Sequence, residues 1–535
     1  MKKFNLIALI GMVMILGSCS LDHNTSPNDV LSDDLTPNLR LSAAEVTAYA
    51  PLAGDMNGLG NIWTNAWAGN TAQFGNPLIT ESTLDISTSF RQAMWNDMYR
   101  AIARFQQIIN VDEPENYPNY IAIAKIQKAF YMEYIVDLYG DVPYTEAFQE
   151  QENLTPKYDK DVDIYKDLVQ ELLDARGLIE ENLGNPDEAL SVAASDDVIF
   201  SGDMKAWEKF ANTVLLRFAI HLSETTDSEG QDLRNQIISE LAGVEFMDSD
   251  VTINPGYSNS SDTKQNPLYN NFGRGTASGQ INTQGYQLMT GSLHIIQNLL
   301  GDASKNTSGV ADPRIGEMFM PVELYNGDDE PVAQGYDGFE QGDTNNDFKE
   351  ARGFSSSNQN PSNSNVSLLG GSFFDFPGGA ELDGYLMMLS EIEFLQAEAA
   401  VRGYAGFGDA QGHFVAGVQA SLDFYGIDSE DADDYISDIN GIAQVGWTGN
   451  SNDDIAAIQY QRWIALTNYN GIENYINYLR TGYPETPMAT TANHPNKPYR
   501  LLYPASEYSS NSSNVPDVSI GQIFEKNEFT PFIYK

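Results

Sequence analysis

The stretch YPNYIAIAKIQKAFYMEYIVDLYG, residues 117–140, gives the clearest indication of the fold. Pro118 suits the first turn of a helix and Gly140 suits the position just after its end. A helix that is apolar nearly all round is stable only when other elements cover it on every side. The segment therefore predicts a helix in the interior of a helical protein, and its only charged residues are Lys125, Lys128, Glu133 and Asp137.

Other segments repeat apolar residues at helical spacing, and they come in pairs separated by short turns. Small residues, among them Ala397 and Gly417, predict that two of these helices approach each other closely. Paired antiparallel helices are typical of an all-α fold of tetratricopeptide-like helical hairpins, although no clean 34-residue repeat is present. The predicted helices are 88–110, 117–139, 161–181, 203–223, 387–402, 411–425, 452–467 and 471–480.

Composition divides the chain into segments along its length. We predict a lipoprotein signal peptide at 1–18, a polar tether at 19–40 and a helical scaffold at 41–250. Residues 251–380 are rich in Gly, Asn, Ser, Asp and Pro, which predicts a loop-rich insertion that forms the ligand or partner face. Residues 381–535 are predicted to return to helical hairpins of the same body and to end in a second loop-rich part.

The only cysteine of the chain, Cys19, follows a basic start and an uncharged apolar stretch. Leu16-Gly17-Ser18-Cys19 has the small residues of a lipobox, which predicts cleavage before Cys19 and acylation of that residue. A transmembrane helix is disfavoured because the apolar stretch is shorter than the roughly 20 residues needed to span. An ordinary secretory signal beside a stray cysteine is the remaining alternative, and in either case no disulfide can form within the chain.

The charge balance excludes some partners. The chain has 29 Lys and Arg against 75 Asp and Glu, a formal net charge of −46. Nucleic acid would be repelled, and so would an anionic membrane face, so that membrane contact is expected through the lipid anchor alone. The motifs HExxH, GxSxG, GxxxxGK and CxxC are absent, which argues against an enzyme, although acids this abundant leave a hydrolytic carboxylate pair open.

Residues 57–77 hold Trp63 and Trp67 among five Asn and four Gly, a composition that predicts an exposed loop. Aromatic rings beside amides suit sugar recognition, because sugars present apolar C–H faces and many hydroxyl groups. The alternative is that one or both tryptophans pack beneath the loop as its own small core. The predicted ligand-binding residues are Trp63, Asn65, Trp67 and Asn70, with Tyr257, Tyr269, Phe272 and Arg274 from the insertion as a second wall.

We expect no cofactor. Residues 343–347 (DTNND) have the spacing of the first three calcium ligands of an EF-hand. Phe348 and Phe354 occupy the places where that loop needs glycine and glutamate, which excludes a full EF-hand but leaves a structural calcium site open.

The whole chain resembles the SusD/RagB family of outer-membrane nutrient-binding lipoproteins. The resemblance rests on the order and spacing of several blocks, of which 139–147 (YGDVPYTEA) is the most telling, beside the lipobox cysteine. The other blocks are Trp95 with Tyr99-Arg100, 121–138, 197–223, 312–315 (DPRI), 389–404, 461–466 (QRWIAL), 479–484 (LRTGYP) and 500–515.

The resemblance implies a lipid-anchored protein of the outer membrane, facing the cell exterior and without enzymatic activity. It implies a SusC-like TonB-dependent transporter as partner and an oligosaccharide as ligand. Family members often contact ligand through loops just before the helix that here begins near Phe90, which supports the 57–77 candidates. A peptide ligand, as on the RagB side of the family, and a surface hydrolase remain the alternatives.

Overall fold

The apolar stretch at 117–140 forms one helix at the centre of a mostly helical protein. The computed structural model describes residues 35–149, 152–185, 191–278, 280, 285–305, 307–326, 330–353 and 365–535. The predicted signal peptide and Cys19 lie outside the described residues, as does most of the predicted tether. The first described helix begins at Pro37, within the range predicted as tether.

The helices before residue 300 include most of the scaffold. They are α1 Pro37–Pro51, α2 Asn57–Trp63, α3 Ile79–Thr83, α4 Gln92–Ile109, α5 Pro118–Tyr139, α6 Asp161–Asn182, α7 Met204–His221, α8 Ser228–Glu240, α9 Pro267–Phe272 and α10 Leu293–Leu300, with a π-helical turn Leu52–Met56 joining α1 to α2. The later helices are α11 Ile315–Met318, α12 Asn345–Ala351, α13 Leu389–Val401, α14 Ala410–Phe424, α15 Ser429–Ile439, α16 Ser451–Leu466, α17 Gly471–Thr481 and α18 Ala505–Ser510.

Helix α5 is buried on nearly every face, as its composition predicts. It packs between α4 and α6 and also contacts α7. Pro118 occupies the first turn, and Gly140 ends the helix with a φ of +72° while its N–H donates to the carbonyl of Val136. The same hairpin arrangement recurs where α13 packs on α14, and a Cβ on Gly417 would lie 2.7 Å from the Phe394 ring. The predicted all-α, tetratricopeptide-like architecture is therefore confirmed.

Short antiparallel strand pairs join the connecting segments to the helices. The strands are β1 Trp67–Gly69, β2 Val142–Pro143, β3 Tyr158–Asp159, β4 Val251–Ile253, β5 Met289–Gly291, β6 Val322–Tyr325, β7 Pro331–Gly335 and β8 Gly384–Met387. They pair as β1 with β5, β2 with β3, β4 with β8 and β6 with β7. Because β4 and β8 stand at the two ends of the Gly- and Asn-rich segment, their pairing brings both ends of that segment to one point of the scaffold.

The helical scaffold also encloses a network of charged side chains. The imidazole of His221 bonds through Nδ1 to Asp137 and through Nε2 to Glu473, both at 2.9 Å, and its Nδ1 lies 3.0 Å from a carboxylate oxygen of Glu133. Buried charges are stable only when partners replace the lost water, so this network fixes the relative positions of several helices. Its members come from α5, α7, α13, α16 and α17 and are Glu133, Asp137, Arg217, His221, Glu391, Arg462 and Glu473.

The network predicts a dependence of stability on pH. Burial opposes protonation of His221, but the carboxylates of Glu473 and Glu133 outweigh it and raise the His221 pKa well above its usual value. The stabilisation is complete below the unfolded pKa of about 6.5 and is lost as pH rises through the folded pKa. The urea midpoint of the native protein should therefore fall as pH rises from 6 to 9.

The His221→Asn variant isolates this contribution. Burial also raises the pKa of Glu391 to about 7, but that carboxyl titrates in both proteins. We expect the variant to be less stable at pH 6. Its free energy of unfolding should also change less with pH, by up to about 1.4 kcal/mol per pH unit for the one proton that His221 holds. Parallel midpoint curves for the two proteins would show that His221 does not hold the extra proton.

Candidate ligand-binding groove

The tryptophans predicted to bind ligand are in the core. Trp63 is the last residue of α2, 2% exposed, with its ring 5.7 Å from Phe90 and 5.1 Å from Tyr475. Trp67 is 0% exposed, and its indole N–H donates to Asn468 Oδ1 at 2.6 Å. The prediction of an exposed loop at 57–77 is therefore wrong for residues 57–70, and the alternative of a packed core describes them.

The reason is that the glycines of this segment serve close packing of helices instead of a turn. A Cβ on Gly60 would lie 2.0 Å from the carbonyl carbon of Gly471, so the backbones of α2 and α17 touch there. Glycine is the residue that permits such an approach. Only the end of the segment reaches the surface, where Gln73 and Asn76 are exposed and Phe74 is half-buried.

The two predicted amides hold the backbone of neighbouring loops. Asn65, at a φ of +57°, donates to the carbonyl of Pro487 at 3.1 Å. Asn70 donates to the carbonyl of Gln287 at 2.9 Å. Both side chains are buried, so they stabilise loop positions and do not face solvent.

The residues predicted as a second wall are split between core and surface. Tyr269 and Phe272 lie on α9 and are buried, the Phe272 ring 4.9 Å from that of Trp67. Tyr257 is half-buried. Arg274 is the member that faces solvent, with its side chain 55% exposed and 3.8 Å from Asp375.

The structure assembles a different aromatic surface beside α4. Trp95, Tyr99 and Phe148 line a groove of about 390 Å³. The Trp95 and Tyr99 rings are 4.7 Å apart, and the Tyr99 ring stacks on Phe148 at 5.8 Å. Phe148 has a φ of +63°, which is rare for a bulky residue and places its ring over the groove edge. Aromatic rings of this kind offer flat apolar faces to a ligand.

The groove also has hydrogen-bonding groups that find no partner among the residues that the structure describes. Trp95 is 3% exposed, and its indole N–H, which is not enclosed, donates to none of the described residues. Glu507 accepts the Tyr158 hydroxyl through Oε2 at 2.9 Å, and its Oε1 has no partner among the described side chains. A donor and an acceptor that are both held in place can bind hydroxyl groups. The remaining lining residues are Asn96, Arg100, Ala103, Pro143, Ala147, Asn153, Leu154, Pro156, Ser510 and Asn511.

Three distant parts of the chain fix this groove. The β2–β3 pair turns the segment after α5 back onto α4, and Tyr99 donates from its hydroxyl to the carbonyl of Pro143 at 2.8 Å. The C-terminal helix α18 closes the other side, where Asn511 donates to the carbonyl of Pro156 at 2.8 Å. Burial, together with the nearby Glu507 carboxylate, raises the pKa of Tyr99 well above its usual value, so its hydroxyl stays protonated.

The sequence patterns of the groove residues do not indicate a binding role. Trp95 stands on the apolar stripe of a predicted helix, which indicates core packing. The 139–147 block carries the resemblance, and Gly140 within it predicts the end of helix α5. Glu507 is one of many acids, and nothing in its local sequence separates it from the others.

One buried cluster has the residue types of a metal site. Within the described ranges, Glu133, Asp137 and His221 place three potential ligand atoms within 4.8 Å of one another. Each ring nitrogen of His221 lies 2.9 Å from a carboxylate oxygen, Nδ1 from Asp137 and Nε2 from Glu473, and Arg217 bonds the same Glu133 carboxylate at 2.9 Å. Because these groups already partner one another, the cluster suits an ion network.

The acidic stretch at 343–347 begins helix α12. The Asp347 carboxylate accepts the backbone N–H (2.8 Å) and the hydroxyl (2.7 Å) of Thr344 and so completes a capping box. Burial, with Glu340 and Asp347 nearby, raises the pKa of Asp343 to about 6. These contacts engage the Asp347 carboxylate within the protein, and a structural calcium site is the alternative that the sequence leaves open.

Comparison with known proteins identifies relatives along most of the chain. A SusD-like family model, described as starch-binding associating with outer membrane, matches residues 49–504. No curated protein matches the chain. None of the described helices combines the length and apolar character needed to cross a membrane.

Solved structures share the fold at low sequence identity. A Bacteroidetes SusD-like protein superposes with a TM-score of 0.68 at 20% identity, covering 90% of this chain and 96% of that chain. A chitin-binding protein gives a TM-score of 0.66 at 23% identity, with 90% and 95% covered. A chitin-binding SusD homolog from Flavobacterium johnsoniae gives 0.64 at 20% identity, with 89% and 94% covered.

Proposed function

This chain belongs to the SusD-like family, whose model matches residues 49–504, and we propose that it binds carbohydrate at the cell surface without cleaving it. The family is described as starch-binding and associated with the outer membrane, and two proteins of the same fold are described as chitin-binding. We propose the aromatic groove beside α4 as the binding site.

The observation that carries this proposal is the juxtaposition of Trp95, Tyr99 and Glu507 in the groove. A sugar ring can lay its C–H face on the partly buried rings of Tyr99 and Phe148, since Trp95 itself is 3% exposed. Its hydroxyls can then accept from the indole N–H and donate to the carboxylate. A groove of about 390 Å³ lies within the size range of small-ligand sites.

The same groove argues against hydrolysis. Glycoside hydrolysis ordinarily requires two carboxyl groups on opposite sides of the scissile bond. Among the described residues that line the groove, Glu507 is the one carboxylate. Binding without turnover is therefore the function that this arrangement favours.

Two further parts of the proposal concern location and partner. We propose that Cys19 is acylated and holds the protein on the outer membrane facing outward, on the basis of the lipobox at 16–19. We also propose that bound glycan passes to a SusC-like TonB-dependent transporter, as the resemblance implies. The predicted segment boundaries, with 251–380 as a ligand or partner face, belong to the same proposal.

The Tyr99→Ala variant tests the groove. We expect retention in affinity electrophoresis through starch or soluble chitin to weaken by about tenfold, because one stacking face is lost, equivalent to roughly 1.4 kcal/mol. The matched control is Phe74→Ala, a half-buried aromatic at the exposed end of the 57–77 segment. Circular dichroism checks that both variants keep their helical content.

Three results would contradict the site or the function proposed here. Retention that survives Tyr99→Ala but is lost with Phe74→Ala or Arg274→Ala would move the site to the surface that the sequence predicted. Peptides that co-purify with a protein that retains neither polysaccharide would favour the RagB-like alternative. New reducing ends during incubation with the polysaccharide would indicate a hydrolase.

A further inference from the structure

A second, larger concavity adjoins the aromatic groove. It is an open cleft of about 1020 Å³, and it shares Ala147 and Phe148 with the groove of about 390 Å³. The segment that carries these two residues is therefore the common wall of both spaces. A ligand that occupies the groove and is long enough can continue along this wall.

We infer that the cleft is a second subsite for the same ligand, and that this ligand is a linear, uncharged glycan chain crossing over Phe148. The inference rests on the proposed function and adds the length and charge class of the ligand. It places some sugars of the chain on the aromatic rings of the groove and the following sugars among the polar side chains of the cleft.

The lining of the cleft suits sugar hydroxyls. Four amide side chains line it, and amides both donate to and accept from hydroxyl groups. Asn110 and Gln149 are exposed at its surface. Tyr117 and Tyr144 add aromatic rings to the same wall. The four amides are Gln106, Gln107, Asn110 and Gln149.

Phe148 connects the two spaces. Its ring stacks on Tyr99 in the groove, while its residue also lines the cleft. A backbone φ of +63° is a costly conformation for phenylalanine. This conformation holds the aromatic ring at the crossing point, where a sugar chain would need an apolar surface.

The charge of the cleft selects against polyanions. Of its two cations, Lys128 is paired with Glu171 at 2.8 Å, and Arg40 donates to Gln107 and to the carbonyl of Leu35, both at 2.8 Å. The carboxylates outnumber these cations, so a uronic-acid or sulfated polymer would be repelled. The acidic lining residues are Asp112, Glu113, Glu152, Asp167 and Glu171.

Titration calorimetry with chains of matched chemistry and different length tests the inference. The probes are maltose against maltoheptaose and chitobiose against chitohexaose. For the pair that binds, we expect the long chain to bind the native protein at least tenfold more tightly than the disaccharide. An oligogalacturonate of six units should bind at least tenfold more weakly than the long neutral chain.

The Asn110→Ala/Gln149→Ala double variant separates the cleft from the groove. Both side chains are exposed, so the fold should be retained, which circular dichroism checks. We expect the disaccharide affinity to stay within twofold of the native value, while the advantage of the long chain falls at least fivefold.

The possible outcomes distinguish the inference from the proposed function. Equal affinity for short and long chains, or a length advantage that the double variant leaves intact, would overturn the second subsite while carbohydrate binding stands. Equal binding of the oligogalacturonate would overturn the uncharged class. If none of the neutral chains binds at either length, the proposed function and this inference fail together.

Discussion

Replacing Arg217 with methionine will lower the free energy of unfolding by about 3–5 kcal/mol, because the buried Glu133 Oε2 loses its guanidinium partner. The guanidinium is 0% exposed and bonds Glu133 Oε2 at 2.9 Å through Nε. It also donates to the Tyr134 hydroxyl (2.9 Å) and to the carbonyl of Phe130 (3.2 Å). Methionine fills part of the same space but supplies none of these donors.

Urea unfolding followed by circular dichroism at pH 7 measures the change. The matched control is Arg100→Met, since the Arg100 side chain is 74% exposed and its pair with Asp97, at 3.2 Å, faces water. Exposed pairs contribute little, so the control should unfold close to the native midpoint. Equal midpoints for the two variants would show that the buried network does not depend on Arg217.

Replacing Trp67 with alanine should destabilise the protein by a similar amount, about 3–5 kcal/mol, through the cavity that it opens. The indole is 0% exposed, packs edge-on against Phe272 at 4.9 Å and donates to Asn468 at 2.6 Å. The variant loses this apolar contact and also leaves the side-chain amide oxygen of Asn468, Oδ1, without the indole donor. Both losses occur in the interior, where surrounding residues relax only partly.

The control for this prediction is Trp447→Ala. Trp447 is half-buried, with its ring 5.8 Å from Phe414, so its removal opens a site that solvent can partly refill. We expect a clearly smaller shift of the urea midpoint. A Trp67→Ala protein that keeps its native midpoint but loses polysaccharide retention would instead place the indole in the ligand site, as the sequence predicted.

The helices of the scaffold could be predicted because the residues that specify each helix lie within the helix or next to its ends. Apolar spacing, Pro118 and Gly140 predicted helix α5 to within one residue at each end. Arg480 and Arg500 both bond to groups within the fold. Arg480 bonds both oxygens of Glu398, at 2.5 and 2.8 Å, and Arg500 donates to the carbonyls of Leu501 and Phe529.

The prediction of a loop was wrong where the glycines serve tertiary packing and not a turn. Gly60 and Gly471 bring α2 and α17 into backbone contact, a pairing of residues more than 400 positions apart. The amides of Asn57 and Asn61 serve the same contact, since Asn57 accepts the N–H of Gly471 at 2.8 Å. A segment rich in Asn and Gly is compatible with a close helix contact and with a loop. Local composition therefore cannot distinguish the two structures.

Four features could be predicted from the sequence: the helical class, the interior helix, the hairpin pairing and the resemblance that the family match confirms. They follow from residues that are close to one another along the chain. Tertiary structure alone decided which aromatic rings face solvent. Trp67 is enclosed by Phe272 and Asn468, whereas the rings of Tyr99 and Phe148 are only partly buried and line the groove. The exposure of a ring depends on which distant residues pack against it. The spacing of apolar residues along a helix does not contain that information.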